Sequence, residues 1–198
     1  MIKKASSLIV SMLIANLLMS CAAVVVGGVA ATATSGAAVA TDPRSSSGVF
    51  DDQGLKKKVN NSLNAMIPGN NIEVTSYAQN ILLTGQVIDE QNRKKAEIVT
   101  KQVVGVKKIY NYIQVGPSQS AGQTSKDAYL TSVVKSNLLI SKGVSSNDVK
   151  VVTSNSVVYL MGMVDEYQAK KMEHAAREVD GVKEVEALFE YEKPKTNK

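Results

Sequence analysis

The chain has 198 residues, 44% of them hydrophobic, a formal net charge of +5, one cysteine and one histidine. That length accommodates one domain or two small ones. A single cysteine excludes an intramolecular disulfide framework, and with a single histidine it leaves no Cys/His cluster for a metal.

The first segment reads as an address label rather than structure. Lys3 and Lys4 precede an apolar run from Leu8 to Leu18, which ends in Leu18-Met19-Ser20-Cys21. A basic start, an apolar middle and small residues at the end describe a secretory signal. The last four residues resemble the lipobox of bacterial lipoproteins, which implies a diacylglycerol on Cys21 as the mature N-terminus. An ordinary signal peptide and an anchoring helix are the alternatives, since no charge interrupts the sequence between Lys4 and Asp42. Ala22 stands where inner-membrane lipoproteins carry Asp, and by that resemblance the destination is the outer membrane. Residues 21–50 read as the lipidated cysteine and a flexible tether rich in Ala, Val, Gly, Thr and Ser.

Beyond the tether the sequence repeats itself. Val74, Leu83 and Gly85 recur 77 residues later as Val151, Leu160 and Gly162. Leu55, Val59 and Leu63 match Leu130, Val134 and Leu138 at an offset of 75, and Gly105-Val106-Lys107 matches Gly181-Val182-Lys183 at 76. Self-similarity at a nearly fixed period indicates two homologous domains, here 51–115 and 126–192, joined by a polar linker over 116–125. Residues 193–198 form a basic tail.

In the first repeat, Leu55, Val59, Leu63 and Met66 or Ile67 recur at helical spacing, with Asp51 or Asp52 as N-cap and Pro68-Gly69 as the stop. A hairpin follows, Ile72 to Tyr77 and Ile81 to Val87, turning at Ala78-Gln79-Asn80. Gly85 inside the second strand signals a bulge or a close approach of backbone. Asp89 opens a second helix with Ala96, Val99 and Val103 inward, and Gly105 follows as its C′ residue. Val106 to Val115 returns as a third strand. The second repeat has the same order, its hairpin running from Val151 to Val164 around Ser154-Asn155-Ser156.

The fold class is therefore α+β, each domain α-β-β-α-β, with two helices on one face of a three-stranded mixed sheet. This order, with the valine-to-glycine hairpin and the GVK turn, resembles the BON domain family in both repeats. Together with the lipobox, the Thr41-to-Ser45 segment and the LLTGQ and LMG strand ends, it resembles the dual-BON outer-membrane lipoproteins. That resemblance implies a lipid-anchored, periplasmic and non-enzymatic role in outer-membrane integrity. It further implies binding of anionic phospholipid through the second domain and recruitment to the division site.

The repeats differ in one informative place. The helix over Lys126–Ser141 carries a second apolar stripe beside its core stripe: Tyr129, Val133 and Ile140 lie within about 40° of one another at 100° per residue. Their counterparts are Gly54, Lys58 and Ala65, and Leu139 replaces Asn64. Lys126, Lys135 and Lys142 stand nearby, a composition suited to a headgroup layer. Tyr129, Val133, Lys135, Leu139 and Ile140 are the candidate phospholipid-binding residues. Packing of the stripe against the first domain or the linker is the alternative, and with it a role as an adaptor for envelope or division proteins.

Segment 51–115 holds 9 basic and 6 acidic residues, whereas 126–192 holds 8 and 11. Attraction to anionic lipid must then be local to the stripe-bearing helix. No clustered Arg/Lys stripe supports nucleic-acid binding. Catalytic chemistry is equally unsupported: His174 has no nucleophile beside it in sequence, and Asp89-Glu90 and Asp165-Glu166 are best used at helix starts. The expectation is a non-enzyme without a cofactor.

Overall fold

The computed structural model describes residues 46–141 and 149–191, with side chains described from residue 51 onward. The order is α1 (Ser46–Met66), β1 (Asn71–Tyr77), β2 (Asn80–Val87), α2 (Glu90–Lys101), β3 (Lys108–Asn111), β4 (Gln114–Val115), α3 (Ala121–Ile140), β5 (Val149–Ser154), β6 (Val157–Val164), α4 (Glu166–Arg177) and β7 (Glu184–Tyr191). The signal segment, Cys21, most of the tether and the basic tail lie outside the described residues.

Both repeats have the predicted mixed sheet. β1 pairs antiparallel with β2, and β5 with β6. β3 and β4 run parallel to β2, and β7 runs parallel to β6. The registers coincide: Val74 faces Leu83 as Val151 faces Leu160, and Ile72 faces Gly85 as Val149 faces Gly162. In the first domain Leu55, Val59 and Leu63 pack with Val74, Ile81, Leu83, Ala96 and Val99. In the second, Leu130, Val134 and Leu138 do so with Val151, Val158, Leu160, Ala169 and Met172. Repeated apolar positions thus mark one helix-to-sheet core per domain.

Several boundaries depart from the pattern read in the sequence. Helix α1 starts at Ser46, inside the segment read as tether, so neither Asp51 nor Asp52 caps it. Helix α3 starts at Ala121 with Ser120 as N-cap, which turns much of the predicted linker into helix. Helix α2 ends at Lys101, and Val103 packs on the core from the turn that follows. The third strand of the first domain is interrupted at Tyr112 and Ile113. Asn111 causes the break: its side-chain oxygen accepts from Ile113 N at 3.3 Å, and its amide donates to Arg93 O and to Glu97 Oε2. An Asx-type bond of this kind competes with the strand ladder. It turns Ile113 into the core and leaves Tyr112 on the opposite sheet face.

Gly85 meets the predicted close approach. Its φ is +99°, and a Cβ there would lie 2.0 Å from Asn71 O and 3.1 Å from the adjoining carbon. Gly85→Ala should therefore cost about 2–5 kcal/mol, from left-handed strain plus overpacking. A drop in the urea midpoint with unchanged m-value would register it; an unchanged midpoint would mean the strand pair shifts freely.

The two repeats fall in one compact unit. Each sheet buries one face under its helices. The other faces meet each other, through Tyr77 and Leu82 of the first domain and Tyr159, Met161 and Leu188 of the second. Tyr112 and Tyr159 lie edge to face with centroids 4.8 Å apart. Polar contacts cross the seam: Tyr112 Oη donates to Glu186 Oε2 at 2.8 Å, Asn80 Nδ2 to Glu190 Oε1 at 2.7 Å, and Lys150 Nζ to Ser76 O at 3.2 Å.

Burial pushes the Tyr159 phenol up to about 12, with Glu186, Glu184 and Asp127 adding to the shift. Burial does the same to Tyr112 more strongly, helped by the hydrogen bond to Glu186 and the charge it carries. The unfolded phenols titrate at 10.0, so above that pH the unfolded chain releases protons that the folded seam retains. Stability should thus fall as pH rises from 10 toward 12, an effect that denaturant titrations across that window would read. Tyr112→Phe should flatten part of the slope, and a slope identical to wild type would place the linkage elsewhere.

Candidate functional site

Helix α3 sits over β5 and beside α4. Its buried stripe is Asp127, Leu130, Val134 and Leu138. Three of the five predicted lipid-binding side chains are apolar and exposed: Tyr129 at 65%, Leu139 at 67% and Ile140 at 80%. Lys135 is exposed among them. Val133 is the exception, half-buried against the domain core and so a supporting residue rather than part of the free surface. The interdomain seam lies on the opposite side of the sheet, so the alternative that this stripe closes the seam does not hold.

The polar residues between the exposed ones satisfy themselves. Ser132 Oγ donates to Ala128 O at 3.1 Å, Ser136 Oγ to Ser132 O at 3.0 Å and Ser141 Oγ to Asn137 O at 2.7 Å. Hydroxyls bonded back to the preceding turn need less water, which lowers the cost of moving this face into a less polar medium.

The position of α3 is fixed by a residue the sequence reading passed over. Asp127 is buried within the first half of α3, and its carboxylate accepts from the backbone N–H groups of Asn155 and Ser156, each at 2.8 Å. Gln123 Nε2 donates to it at 2.8 Å, and Gln119 Nε2 is a further donor. The same device stands in the first domain. Buried Asp52 accepts from Ala78 N, Gln79 N and Ser76 Oγ, all at 2.8 Å. Both hairpins turn through two positive-φ residues, Ala78 and Gln79 at 51° and 66°, Asn155 and Ser156 at 52° and 65°. Two successive residues of this kind make a type I′ turn, which favours Asn and Gly. Ala-Gln and Asn-Ser hold it because a buried carboxylate binds the turn's donors. The signal was available: Asp52 and Asp127 share the offset of 75 that relates the core leucines.

The remaining polar candidates have local duties. Asp89 and Asp165 cap α2 and α4, and Asp165 forms a capping box with Gln168. His174 is exposed beside Glu178, at 3.8 Å. Among the described residues no group of three or more His, Cys, Asp or Glu side chains is placed to hold a metal ion, and no helix is long and apolar enough to cross a membrane.

Comparison with known proteins fits this geometry. The BON domain model matches twice, over residues 51–117 and 126–193. The chain is 38% identical over 171 residues to Outer membrane lipoprotein DolP of Haemophilus influenzae, covering 83% of this chain and 89% of that one. It is 35% identical to the 21 kDa hemolysin of Actinobacillus pleuropneumoniae, over 76% of this chain and 79% of the other. To Osmotically-inducible protein Y of Escherichia coli the identity is 33%, over 69% and 70%. With two matching domains, a shared register in both sheets and a relative aligned along most of its length, this chain belongs to the BON domain family, as a dual-BON protein of the outer membrane lipoprotein type.

Proposed function

We propose that the protein is anchored in the outer membrane by a lipid on Cys21, faces the periplasm and binds anionic phospholipid through α3 of its second domain. In this reading it supports outer-membrane integrity, at the division site, without catalysing a reaction. The observation that carries the reading is the exposed stripe of Tyr129, Leu139 and Ile140 beside Lys135, set against Gly54, Asn64, Ala65 and Asn60 in the first domain. Both helices support equivalent cores, so folding alone does not account for the difference. Tyrosine, lysine and aliphatic residues on one helix face suit the boundary between headgroups and acyl chains.

The test is co-sedimentation of a lipid-free form covering residues 42–198, which keeps α1 whole, with phosphatidylglycerol-rich and with neutral vesicles. Binding to the anionic vesicles that Tyr129→Glu abolishes, at unchanged far-UV circular dichroism, is the expected result. Binding that survives Tyr129→Glu unchanged would overturn it.

A second reading, as an adaptor for envelope or division proteins, draws on the first domain. There Met66 and Val104 are exposed along a groove between α1 and α2, also lined by Lys58, Ser62, Ala65 and Val103. It expects capture of a specific envelope protein in detergent, independent of lipid and sensitive to Met66→Glu.

A further inference from the structure

The seam between the two sheets is apolar in one part and polar in another. Tyr77 and Leu82 meet Tyr159 and Met161 in the apolar part. Side chains alternate along a strand, so Asn71, Glu73 and Thr75 share the face of Tyr77, and Thr84 and Gln86 share that of Leu82. Beside Asn71 and Gln86 lies a cavity of about 430 Å³, whose other walls are the first half of α3, β5 and the connecting residues Ser118 and Gln119. Small-molecule sites favour such domain boundaries, and volumes of about 300–1,000 Å³ are usual for them.

Much of the polar wall is already bonded to itself. Asn71 Nδ2 donates to Ser118 Oγ, the hydroxyls of Thr131 and Thr153 share a hydrogen bond of 2.8 Å, and the Asp127 carboxylate is held by the hairpin's donors. Two groups stand apart from this. Gln86 is buried, and its Oε1 accepts from Gln119 N at 3.1 Å, a bond that tells the two ends of the amide apart. At the other end, the buried Nε2 has no partner. A buried donor left unpaired is costly, so this one marks a place where an acceptor belongs. The second group is the carboxylate of Glu73, exposed on the cavity wall and without a bonding partner among the described residues.

We propose that this cavity binds a neutral saccharide of one or two rings. A hydroxyl both donates and accepts, so neighbouring ring hydroxyls supply the acceptor that Gln86 Nε2 lacks and the donor that Glu73 lacks. The terminal torsion of a glutamine is broad, which lets the amide turn its Nε2 toward the ligand. Ala128 and Val152 offer apolar contact to the C–H face of a ring. Charge selects against anions: Glu73 and Asp127 line the cavity, and no Lys, Arg or His does. A simple ammonium fits less well, because it has no acceptor to offer Gln86. The occupant touches Glu73 and Gln86 of the first domain and Thr153 of the second, and so ties the domains together without using the exposed face of α3.

The test is an NMR titration of the isotope-labelled full chain, held in a detergent without a sugar headgroup. The probes are maltose, cellobiose and N,N′-diacetylchitobiose, with glucuronate as the anionic comparison. The expected result is a saturable shift of the Gln86 side-chain amide and the Thr153 backbone amide with at least one of the three neutral sugars, and none with glucuronate. Glu73→Gln, a change at an exposed position, should weaken binding of that sugar about tenfold, the loss of one hydrogen bond to a charged group. Gln86→Glu keeps the acceptor for Gln119 N and removes the donor, and should abolish the Thr153 shift. Should that variant fail to fold, Glu73→Gln decides alone. No shift with any of the three sugars overturns the proposal. A shift that persists at wild-type affinity in Glu73→Gln also overturns it, because the sugar then binds elsewhere. A stronger response to glucuronate overturns it as well, since the site would then select an anion.

Discussion

Asp127→Ala should destabilise the protein by about 3–5 kcal/mol, at the upper end of what single substitutions do. The carboxylate accepts from two backbone N–H groups in a turn whose residues both hold positive φ, and from two glutamine side chains. Alanine leaves the turn's donors without a partner. Unpaired buried donors cost about 1–3 kcal/mol each, and the bonds lost here are charge-assisted. At roughly 2–4 °C per kcal/mol for a chain of this size, the melting temperature should drop by about 10 °C. Asp52→Ala should follow the same course in the first domain, where Asp52 accepts from Ala78 N, Gln79 N and Ser76 Oγ. Asp127→Asn should recover only part of the loss, since its amide group faces donors. A loss below about 1 kcal/mol in Asp127→Ala would show that water replaces the carboxylate and that the turn holds itself.

The repeat made most of the fold legible. Leucines and valines at matching offsets mark positions that face a core, and a core position constrains residue type strongly enough to survive in both copies. Helix starts were less legible because a cap is one residue with many substitutes: Asp51 and Asp52 satisfied the N-cap pattern, yet α1 continues past them to Ser46. Asp52 has the cap's chemistry and uses it on a turn 26 residues away. Sequence-local rules cannot see such a contact, although its recurrence at Asp127 could have prompted the question. The exposed stripe was legible as an asymmetry between copies, but its inner edge was not. Val133 lies within the same arc as Tyr129 and Ile140, and only the three-dimensional packing shows it leaning on the core. The second sheet faces were the least legible part. Leu82, Tyr159 and Met161 alternate with core residues, so each strand reads as buried on both sides, without saying that the other copy supplies the cover.

Leu139→Glu with Ile140→Glu should weaken binding to anionic vesicles by about 100-fold or more. Burying one large aliphatic side chain contributes about 1.5–3 kcal/mol, and even half of that for each residue at an interface removes roughly 2 kcal/mol. Two new carboxylates near an anionic surface then oppose binding by about 1 kcal/mol each. Together the terms exceed the roughly 2.8 kcal/mol that corresponds to a 100-fold change in affinity. Stability should hardly move, since both side chains are more than half exposed and make no part of the described core. That separation gives the experiment its force. Binding lost at constant stability assigns the end of α3 to the membrane contact. Binding retained at constant stability would take the contact off this helix, and the groove between α1 and α2 of the first domain would become the leading surface.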